Sequence, residues 1–252
     1  MTPSPLTLFC FPCAGASSAM YRPWRTLLGG GIELIPLEYP GRGTRFGDPF
    51  ATTVDGLAAE MARRVRAQGA SHYALFGHSL GAVIAFETAC QLRELGHPPA
   101  RALIVSARRS PELPVPPRRL HDAPDRDVIE FLRELGGTPE AALQMPEMLE
   151  LLLPVLRADL RLYENYRFRP GLPLDCPIHA LAGREDSGTS VENMRAWSTH
   201  TRSTFSLEFF AGGHFYIQEH QSAVLEYLNR LLTDGSEVSA AETGETVGSP
   251  CT

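Results

Sequence analysis

Short apolar runs recur along the chain in a pattern typical of buried β-strands. Helical periodicity lies between most of them: apolar residues recur every three or four positions in Thr53–Gln68, Ala82–Leu95 and Phe215–Leu232. Strands that alternate with helices predict an α/β fold, in which a mostly parallel central sheet carries helices on both faces. The predicted strands are Leu6–Phe11, Ile32–Leu37, Tyr73–Phe76, Ala102–Ser106, Ile178–Ala182 and Phe205–Phe210.

One segment interrupts this alternation. Arg108–Pro173 contains no convincing strand, begins with a proline-rich bend and continues with helical patterns at Asp125–Leu135, Met145–Leu156 and Arg157–Tyr166. It is too long for an ordinary connection between a helix and a strand. We therefore predict a helical lid insertion at about residues 108–173 that covers the active site. The alternative is one core helix with irregular surface around it.

Length and composition favour one soluble enzyme domain. The 252 residues suffice for one large core, which we expect at residues 1–232, and the polar segment 233–252 is predicted to be disordered. The net charge of −6 argues against nucleic-acid or anionic-membrane partners. No signal peptide or membrane span is predicted. Scattered cysteines indicate reduced thiols and a cytoplasmic location, and a monomer is the default expectation.

The pair Cys10 and Cys13 matches the C-x-x-C pattern of redox proteins. A thioredoxin-like pair opens a helix in a much smaller fold, whereas this pair straddles a strand end and continues into small residues. Buried structural thiols are therefore favoured over redox chemistry.

The stretch from Tyr73 to Ala82 carries the strongest chemical signal. An apolar strand leads directly into Gly77-His78-Ser79-Leu80-Gly81, and a helical pattern follows. This context is that of a nucleophile elbow, a sharp turn that exposes a serine at the end of a strand. The turn is tight enough that the two glycines must lack a Cβ. Ser79 is the predicted nucleophile.

The nucleophile requires a histidine base and an acid, which follow it in this order in α/β-hydrolases. His214 fits, because it lies after the last predicted strand and a Gly-Gly turn. Asp186 is the predicted acid, at the end of the strand before, with Glu185 as its competitor; Asp175 is at the wrong end of that strand. The acid holds the imidazole in the correct tautomer. His78 is expected to pack locally.

Two backbone N–H groups are needed where negative charge develops on the substrate. Leu80, the residue after the nucleophile, provides one. The other is expected from the loop that follows the first strand, where Ala14 is the predicted donor. A mere turn of small residues is the alternative interpretation of that loop.

Over roughly residues 6–232, the sequence resembles a stand-alone type II thioesterase of polyketide and nonribosomal peptide synthesis. It departs from the family at Ala16, where a second glycine is usual, and at Cys13, where a bulkier residue is common. Both departures lie on the loop Phe11–Ala16 after the first strand, which carries Ala14 and is called the oxyanion loop below. The resemblance is carried by Phe11-Pro12-x-Ala14-Gly15, Tyr39-Pro40-Gly41-Arg42-Gly43, the elbow, Gly136-Gly137-Thr138-Pro139, Leu153-Pro154-Val155-Leu156-Arg157-Ala158-Asp159, Asp186 and Gly212-Gly213-His214-Phe215.

The resemblance implies an α/β-hydrolase that removes acyl groups from the phosphopantetheine arm of acyl or peptidyl carrier proteins, and that also accepts small acyl thioesters. It implies that Ser79, Asp186 and His214 form the triad and that Ala14 and Leu80 form the oxyanion hole. No metal or organic cofactor is expected. Arg42 is taken as structural, because it is remote from the triad in sequence.

Two sets of residues in the insertion are candidates for substrate contacts. Four arginines, Arg108, Arg109, Arg118 and Arg119, are hypothesised to contact an acidic carrier protein, with solvated surface positions as the alternative. Apolar side chains, which line an acyl pocket or pack the lid, include Leu113, Val115, Met145, Met148, Leu149 and Leu152.

Three other functions remain open from the sequence. A carboxylesterase or lipase has the same triad, and a chain-releasing or cyclising domain replaces water with a hydroxyl or an amine. A non-catalytic carrier-binding protein is the third, and the complete set of Ser79, Asp186 and His214 argues against it.

Overall fold

The computed structural model of the protein describes residues 5–114 and 118–233. Val115 and segment 234–252, which holds nearly all of the predicted tail, lie outside the described residues. Thr233 was assigned to that tail, but it is the last residue of the final helix. In the described part of the chain, no helix is both long and apolar enough to cross a membrane.

The centre of the molecule is a parallel β-sheet, as the alternating pattern predicts. The described residues form a six-stranded sheet in the order β2-β1-β3-β4-β5-β6, and all neighbouring strands are parallel. The carboxyl ends of the strands therefore share one edge, where ligands of such sheets bind. The strands are β1 (Leu6–Phe11), β2 (Ile32–Pro36), β3 (Tyr73–His78), β4 (Ala102–Ser106), β5 (Ile178–Gly183) and β6 (Phe205–Phe210).

Helices cover both faces of the sheet. The chain contains short 3₁₀ turns in addition, among them Ser18–Thr26 and Leu120–Asp122. The α-helices are α1 (Val54–Ala67), α2 (Leu80–Glu94), α3 (Asp125–Leu135), α4 (Glu140–Leu143), α5 (Pro146–Asn165), α6 (Val191–Arg195), α7 (Tyr216–Glu219) and α8 (Gln221–Thr233).

Strand β1 shows why the sheet is covered on both sides. Its side chains alternate: Phe9 and Phe11 join the core under α1 and α2, whereas Leu8 and Cys10 join the core under the Ser18–Thr26 turn and α8. Alternate residues of a strand point to opposite faces, and every residue of β1 is buried, so both faces of this strand are covered.

The segment between β4 and β5 contains α3, α4 and α5, which share a smaller apolar cluster that includes Val128, Leu132 and Leu156. The sequence pattern suggested separate helices at Met145–Leu156 and Arg157–Tyr166, and this was wrong, because α5 is continuous through both. The pattern at Phe215–Leu232 predicted a single helix, and this was also wrong. It breaks at His220, which lies between α7 and α8.

Candidate active site

Ser79 lies on a strained turn between β3 and α2. Its backbone has φ 55° and ψ −117°, a conformation that costs free energy and that recurs at functional sites. The two glycines of the elbow make the turn possible. A Cβ on Gly77 would lie 2.1 Å from the carbonyl oxygen of Gly81, and a Cβ on Gly81 would lie 2.1 Å from that of Phe11. The elbow therefore needs glycine at both positions, as the sequence predicts.

The loops after β5 and β6 bring His214 and Asp186 together. Their backbones are in close contact, since a Cβ on Gly183 would lie 2.2 Å from the carbonyl oxygen of Gly213. Nδ1 of His214 is 2.7 Å from Oδ2 of Asp186. Glu185, the competing acid, is exposed and its N–H donates to the carbonyl of Gly212. The structure thus pairs His214 with Asp186.

The environment of this pair keeps Asp186 ionised. Burial would raise the pKa of the Asp186 carboxyl, but the hydrogen bond from His214 and the N–H of Gly188 outweigh it and hold that pKa below its usual range. Asp175 is at the other end of β5, 3.7 Å from Arg202. An ionised Asp186 that accepts from Nδ1 fixes the tautomer in which Nε2 of His214 is free to act as a base.

Nε2 of His214 is buried and has no hydrogen-bond partner among the described residues. No hydrogen bond to Ser79 is present in that part of the chain, although the ring lies beside the elbow: the ring centroids of His214 and His78 are 5.3 Å apart. Catalytic hydrogen bonds are often long before substrate binds and shorten in the complex. The buried, unpartnered nitrogen is therefore suited to receive a proton at this site.

A buried polar chain lies beneath the elbow. Nδ1 of His78 is 2.9 Å from Oγ of Ser106, which is 2.6 Å from the hydroxyl of Tyr216. Burial, and then the neighbouring His214, lower the pKa of His78 well below its usual value, so its imidazole is neutral. Sequence reasoning missed Ser106 and Tyr216. The signal for Ser106 was its place at the carboxyl end of β4, where it lies opposite His78 in register.

The two predicted oxyanion donors lie on segments that touch. Gly81 contacts the carbonyls of Phe11 and Pro12, so the loop after β1 lies directly against the start of α2. Among the described residues, the backbone N–H of neither Ala14 nor Leu80 donates a hydrogen bond. Leu80 is the first residue of α2, and the first N–H groups of a helix carry partial positive charge. The arrangement can bind a negatively charged oxygen.

Arg42 is remote from the elbow in sequence but not in space. It forms a bidentate ion pair with Asp159 of α5, and its Nη1 also donates to the carbonyl oxygen of Ala16 on the oxyanion loop. Burial alone would lower the pKa of Arg42, but Asp159 raises it overall. Arg42 was predicted to be structural because it is far from the triad in sequence. That reason was wrong, since Arg42 contacts the oxyanion loop.

The insertion covers this region at two points. Leu152 and Leu156 of α5 lie 3.4 Å from the position of a Cβ on Gly15 of the oxyanion loop. The loop between α3 and α4 contacts Phe215, the neighbour of His214, through Gly137.

The apolar residues proposed to line a pocket divide into inner and outer ones. Leu149 and Leu152 pack against the lid cluster, whereas Met145 and Met148 are 49% and 44% exposed. The two methionines are thus accessible to solvent and are not part of the lid cluster.

The four arginines at the start of the insertion also differ from one another. The guanidinium of Arg108 stacks 3.6 Å from the ring centroid of Tyr163, so it is not a surface cation. Arg109 donates to the carbonyl of Pro114. Arg118 and Arg119 are exposed, and only these two fit a docking surface.

Within residues 5–114 and 118–233, no group of three or more His, Cys, Asp or Glu side chains is arranged to hold a metal ion. Burial raises the pKa of the Cys13 thiol to about 12, so that cysteine of the C-x-x-C pair is a buried thiol at neutral pH.

The parallel sheet, the elbow and the paired His214 and Asp186 define an α/β-hydrolase fold. A family profile described as "Thioesterase domain" matches residues 6–232. The chain belongs to this family, whose members hydrolyse thioesters.

Individual relatives agree with the profile. The chain is 37% identical over 217 residues to Thioesterase PikA5 of Streptomyces venezuelae. The aligned region covers 86% of this chain and 77% of that protein. A solved structure of RedJ, a thioesterase from the prodiginine biosynthetic pathway in Streptomyces coelicolor, is 37% identical with a TM-score of 0.85, covering 91% and 86% of the two chains. The type II thioesterase BorB from the borrelidin biosynthetic cluster is 39% identical with a TM-score of 0.84, covering 91% and 94%.

Proposed function

We propose that the protein hydrolyses acyl thioesters on the phosphopantetheine arm of acyl or peptidyl carrier proteins, and small acyl thioesters, through an acyl-Ser79 intermediate. Its relatives come from polyketide and nonribosomal peptide pathways. The observation that supports the chemistry most strongly is the strained Ser79 turn beside His214, whose Nε2 is buried and unpartnered among the described residues and whose Nδ1 pairs with Asp186. The reaction needs no cofactor, and we place it in the cytoplasm, carried out by a monomer.

The first half of the reaction acylates the serine. Oγ of Ser79 attacks the thioester carbonyl while Nε2 of His214 takes its proton. The oxyanion of the tetrahedral intermediate is bound by the N–H groups of Ala14 and Leu80. The carbon–sulfur bond then breaks, and His214 delivers the proton to the departing thiolate, which leaves as a free thiol.

The second half releases the acid. A water molecule gives a proton to His214 and attacks the acyl carbon, and the oxyanion forms again in the same place. The bond to Oγ breaks, the proton returns to Ser79, and the products are a carboxylic acid and the restored hydroxyl. Asp186 stays ionised throughout and stabilises the imidazolium.

A carboxylesterase or lipase is the nearest alternative function. A thioester and an oxygen ester with the same acyl group separate the two, because a thioesterase should have the higher kcat/KM for the thioester. Product analysis, which distinguishes the free acid from a lactone or lactam, tests the cyclising alternative.

The experiment that tests the proposal is Ser79→Ala, assayed on an acyl-carrier protein and on a small acyl thioester. We expect kcat to fall by about 10⁴-fold or more on both, because triad members act as a unit, while carrier binding is kept. Ser187→Ala is the matched control, since Ser187 is exposed on the loop after Asp186. Turnover by Ser79→Ala at the wild-type rate would rule out the acyl-Ser79 intermediate and leave only a hydrolysis that does not use this serine.

A further inference from the structure

A buried carboxylate, that of Asp159 on α5, holds the oxyanion loop. The N–H of Gly15, the residue after Ala14, donates to Oδ2 of Asp159 at 2.8 Å. The carbonyl of the following residue, Ala16, accepts from Nη1 of Arg42 at 3.3 Å. Because the N–H of Gly15 belongs to the peptide that joins it to Ala14, this bond fixes the backbone orientation immediately after the predicted donor.

The carboxylate has little freedom to move. Asp159 is completely buried and Arg42 is 6% exposed. Oδ1 of Asp159 accepts from Nη2 of Arg42 at 2.7 Å, and the same guanidinium bonds Oδ2. A bidentate pair of this kind fixes direction as well as distance. The N–H of Gly15 thus meets an acceptor whose position is set by two hydrogen bonds from Arg42.

The other end of the loop is anchored independently. The N–H and the hydroxyl of Ser18 both donate to the carboxylate of Glu38, at 3.0 and 2.7 Å. The hydroxyl of Tyr21 donates to the carbonyl of Phe11 at 2.7 Å. Between these ends, the N–H of Ala16 donates to the carbonyl of Cys13 at 3.2 Å and closes a turn around Ala14. The hydrogen bonds to Asp159 and from Arg42 orient this turn.

Asp159 belongs to α5 of the insertion, not to the sheet domain. The same helix places Leu152 and Leu156 against Gly15. The carboxylate therefore reaches the loop only while α5 is seated on it.

We infer that Asp159, oriented by Arg42, is a positioning residue for the oxyanion hole: its bond to the Gly15 N–H aligns the N–H of Ala14 toward the developing oxyanion. This rests on the proposed function, since it assigns a role within the same reaction. It also makes the hole conditional on the lid, because the lid helix supplies the carboxylate.

A pair that merely stabilises the fold would act differently from one that positions a donor. Replacing a buried ion pair by apolar side chains is often neutral for stability. We therefore compare two uncharged double variants, R42M/D159L and R42M/D159N. Both remove the ion pair, but only Asn at position 159 keeps an oxygen that accepts from Gly15. The readouts are kcat and KM on a small acyl thioester, with thermal unfolding measured for each variant.

The expected result is a loss of about 10²-fold in kcat for R42M/D159L, similar to the removal of one oxyanion donor, with KM changed less than threefold. R42M/D159N is expected to keep at least ten times the kcat of R42M/D159L. Glu60→Gln is the matched control. It weakens an ion pair of Arg45 on the same loop as Arg42 without touching residues 12–18, so its kcat should equal that of the wild type.

Equal kcat values for the two double variants would overturn the inference. If either fails to fold, Arg42→Lys tests the same claim, because lysine keeps the charge but loses the bidentate geometry. Its kcat is then expected to fall about tenfold at unchanged KM, and a wild-type kcat would contradict us. Ser79→Ala is assayed in parallel: an active Ser79→Ala rejects the proposed function, whereas an inactive one with equal double variants rejects only the role of Asp159.

Discussion

Gly137 and Phe215 are in direct contact: a Cβ on Gly137 would lie 2.3 Å from Cδ2 of the Phe215 ring. Gly137 is on the insertion, in the loop between α3 and α4, and Phe215 follows His214 in the chain. The rings of Phe215 and His214 are 5.2 Å apart, edge to face. The lid therefore touches the catalytic loop at a position where only glycine fits.

This contact predicts that Gly137→Ala lowers activity. The added methyl must displace Phe215 and, with it, the neighbouring His214. A displacement of about 1 Å can cost about 10²-fold in rate, and we expect kcat to fall by at least tenfold.

Gly136→Ala is the matched control for this variant. Gly136 also has a positive φ, 76°, but a Cβ there meets nothing within 4 Å. It should cost about 1–3 kcal/mol of stability through backbone strain and leave kcat nearly unchanged. Equal kcat values for the two variants, measured beside their unfolding free energies, would show that the contact has no bearing on catalysis.

Asp186→Asn is expected to lower kcat by about 10⁴-fold. The amide donates where the carboxylate accepts, so it favours the wrong tautomer of His214 and no longer stabilises its cation. Glu185→Gln provides the comparison, because the adjacent Glu185 is exposed and does not contact the histidine. Steady-state assays on one thioester measure both, and a comparable loss in the two variants would argue against Asp186 as the acid.

Stability is predicted to fall in mild acid because of His179. This side chain is 7% exposed and lies 2.6 Å from Oγ of Ser206, and burial lowers its pKa to about 4. A histidine whose folded pKa is depressed contributes stability above its unfolded pKa of about 6.5, and that stability is lost as pH falls toward 4. Between pH 7.5 and pH 5 the loss is about 2 kcal/mol.

Denaturant unfolding of the wild type, His179→Gln and His72→Gln at the two pH values tests this. His72 is exposed, so its variant should lose as much stability as the wild type. His179→Gln should lose about 2 kcal/mol less over the same interval. An identical loss in all three proteins would mean that other groups cause the acid sensitivity.

Arg118 and Arg119 are predicted to contribute to carrier docking. Both are exposed at the start of the insertion, and carrier proteins are expected to be acidic. R118E/R119E should raise KM for an acyl-carrier substrate by about tenfold, through weaker electrostatic steering, and leave KM for a small acyl thioester unchanged.

R63E/R66E is the charge-matched control for this surface. Arg63 and Arg66 are exposed near the end of α1, which leads into the amino end of β3 and so lies away from the carboxyl edge. If this control raises KM for the carrier substrate equally, the effect comes from net charge and not from a docking site.

Local pattern was enough to predict the sheet. Strands β1, β4 and β6 begin and end where the apolar runs do, and the others differ by one or two residues at the carboxyl end. Strands β1, β3, β4 and β5 are buried at every position, so most of their residues are apolar and stand out as runs in the sequence. The elbow was predictable for a related reason, because a sharp turn between a strand and a helix leaves its glycines at fixed spacing.

The connection between Arg42 and the oxyanion loop could not be predicted in this way. Arg42 and Asp159 are separated by 117 positions, and nothing near either residue indicates its partner. The same pair explains the error in α5. Arg157 and Asp159 interrupt the apolar pattern of that helix, as an exposed surface would, but Asp159 is buried because Arg42 compensates its charge.

The central claim is that Ser79 carries the acyl group, and titration with a fluorophosphonate tests it most directly. The oxygen of an activated serine displaces fluoride from the phosphorus of the reagent, and a stable phosphonyl ester forms on the serine. We predict one phosphonyl group per chain, located on Ser79 by peptide mass spectrometry, with thioesterase activity lost in proportion and no labelling of His214→Ala. Modification of Ser79 with turnover intact, or inactivation with the label elsewhere, would contradict the account.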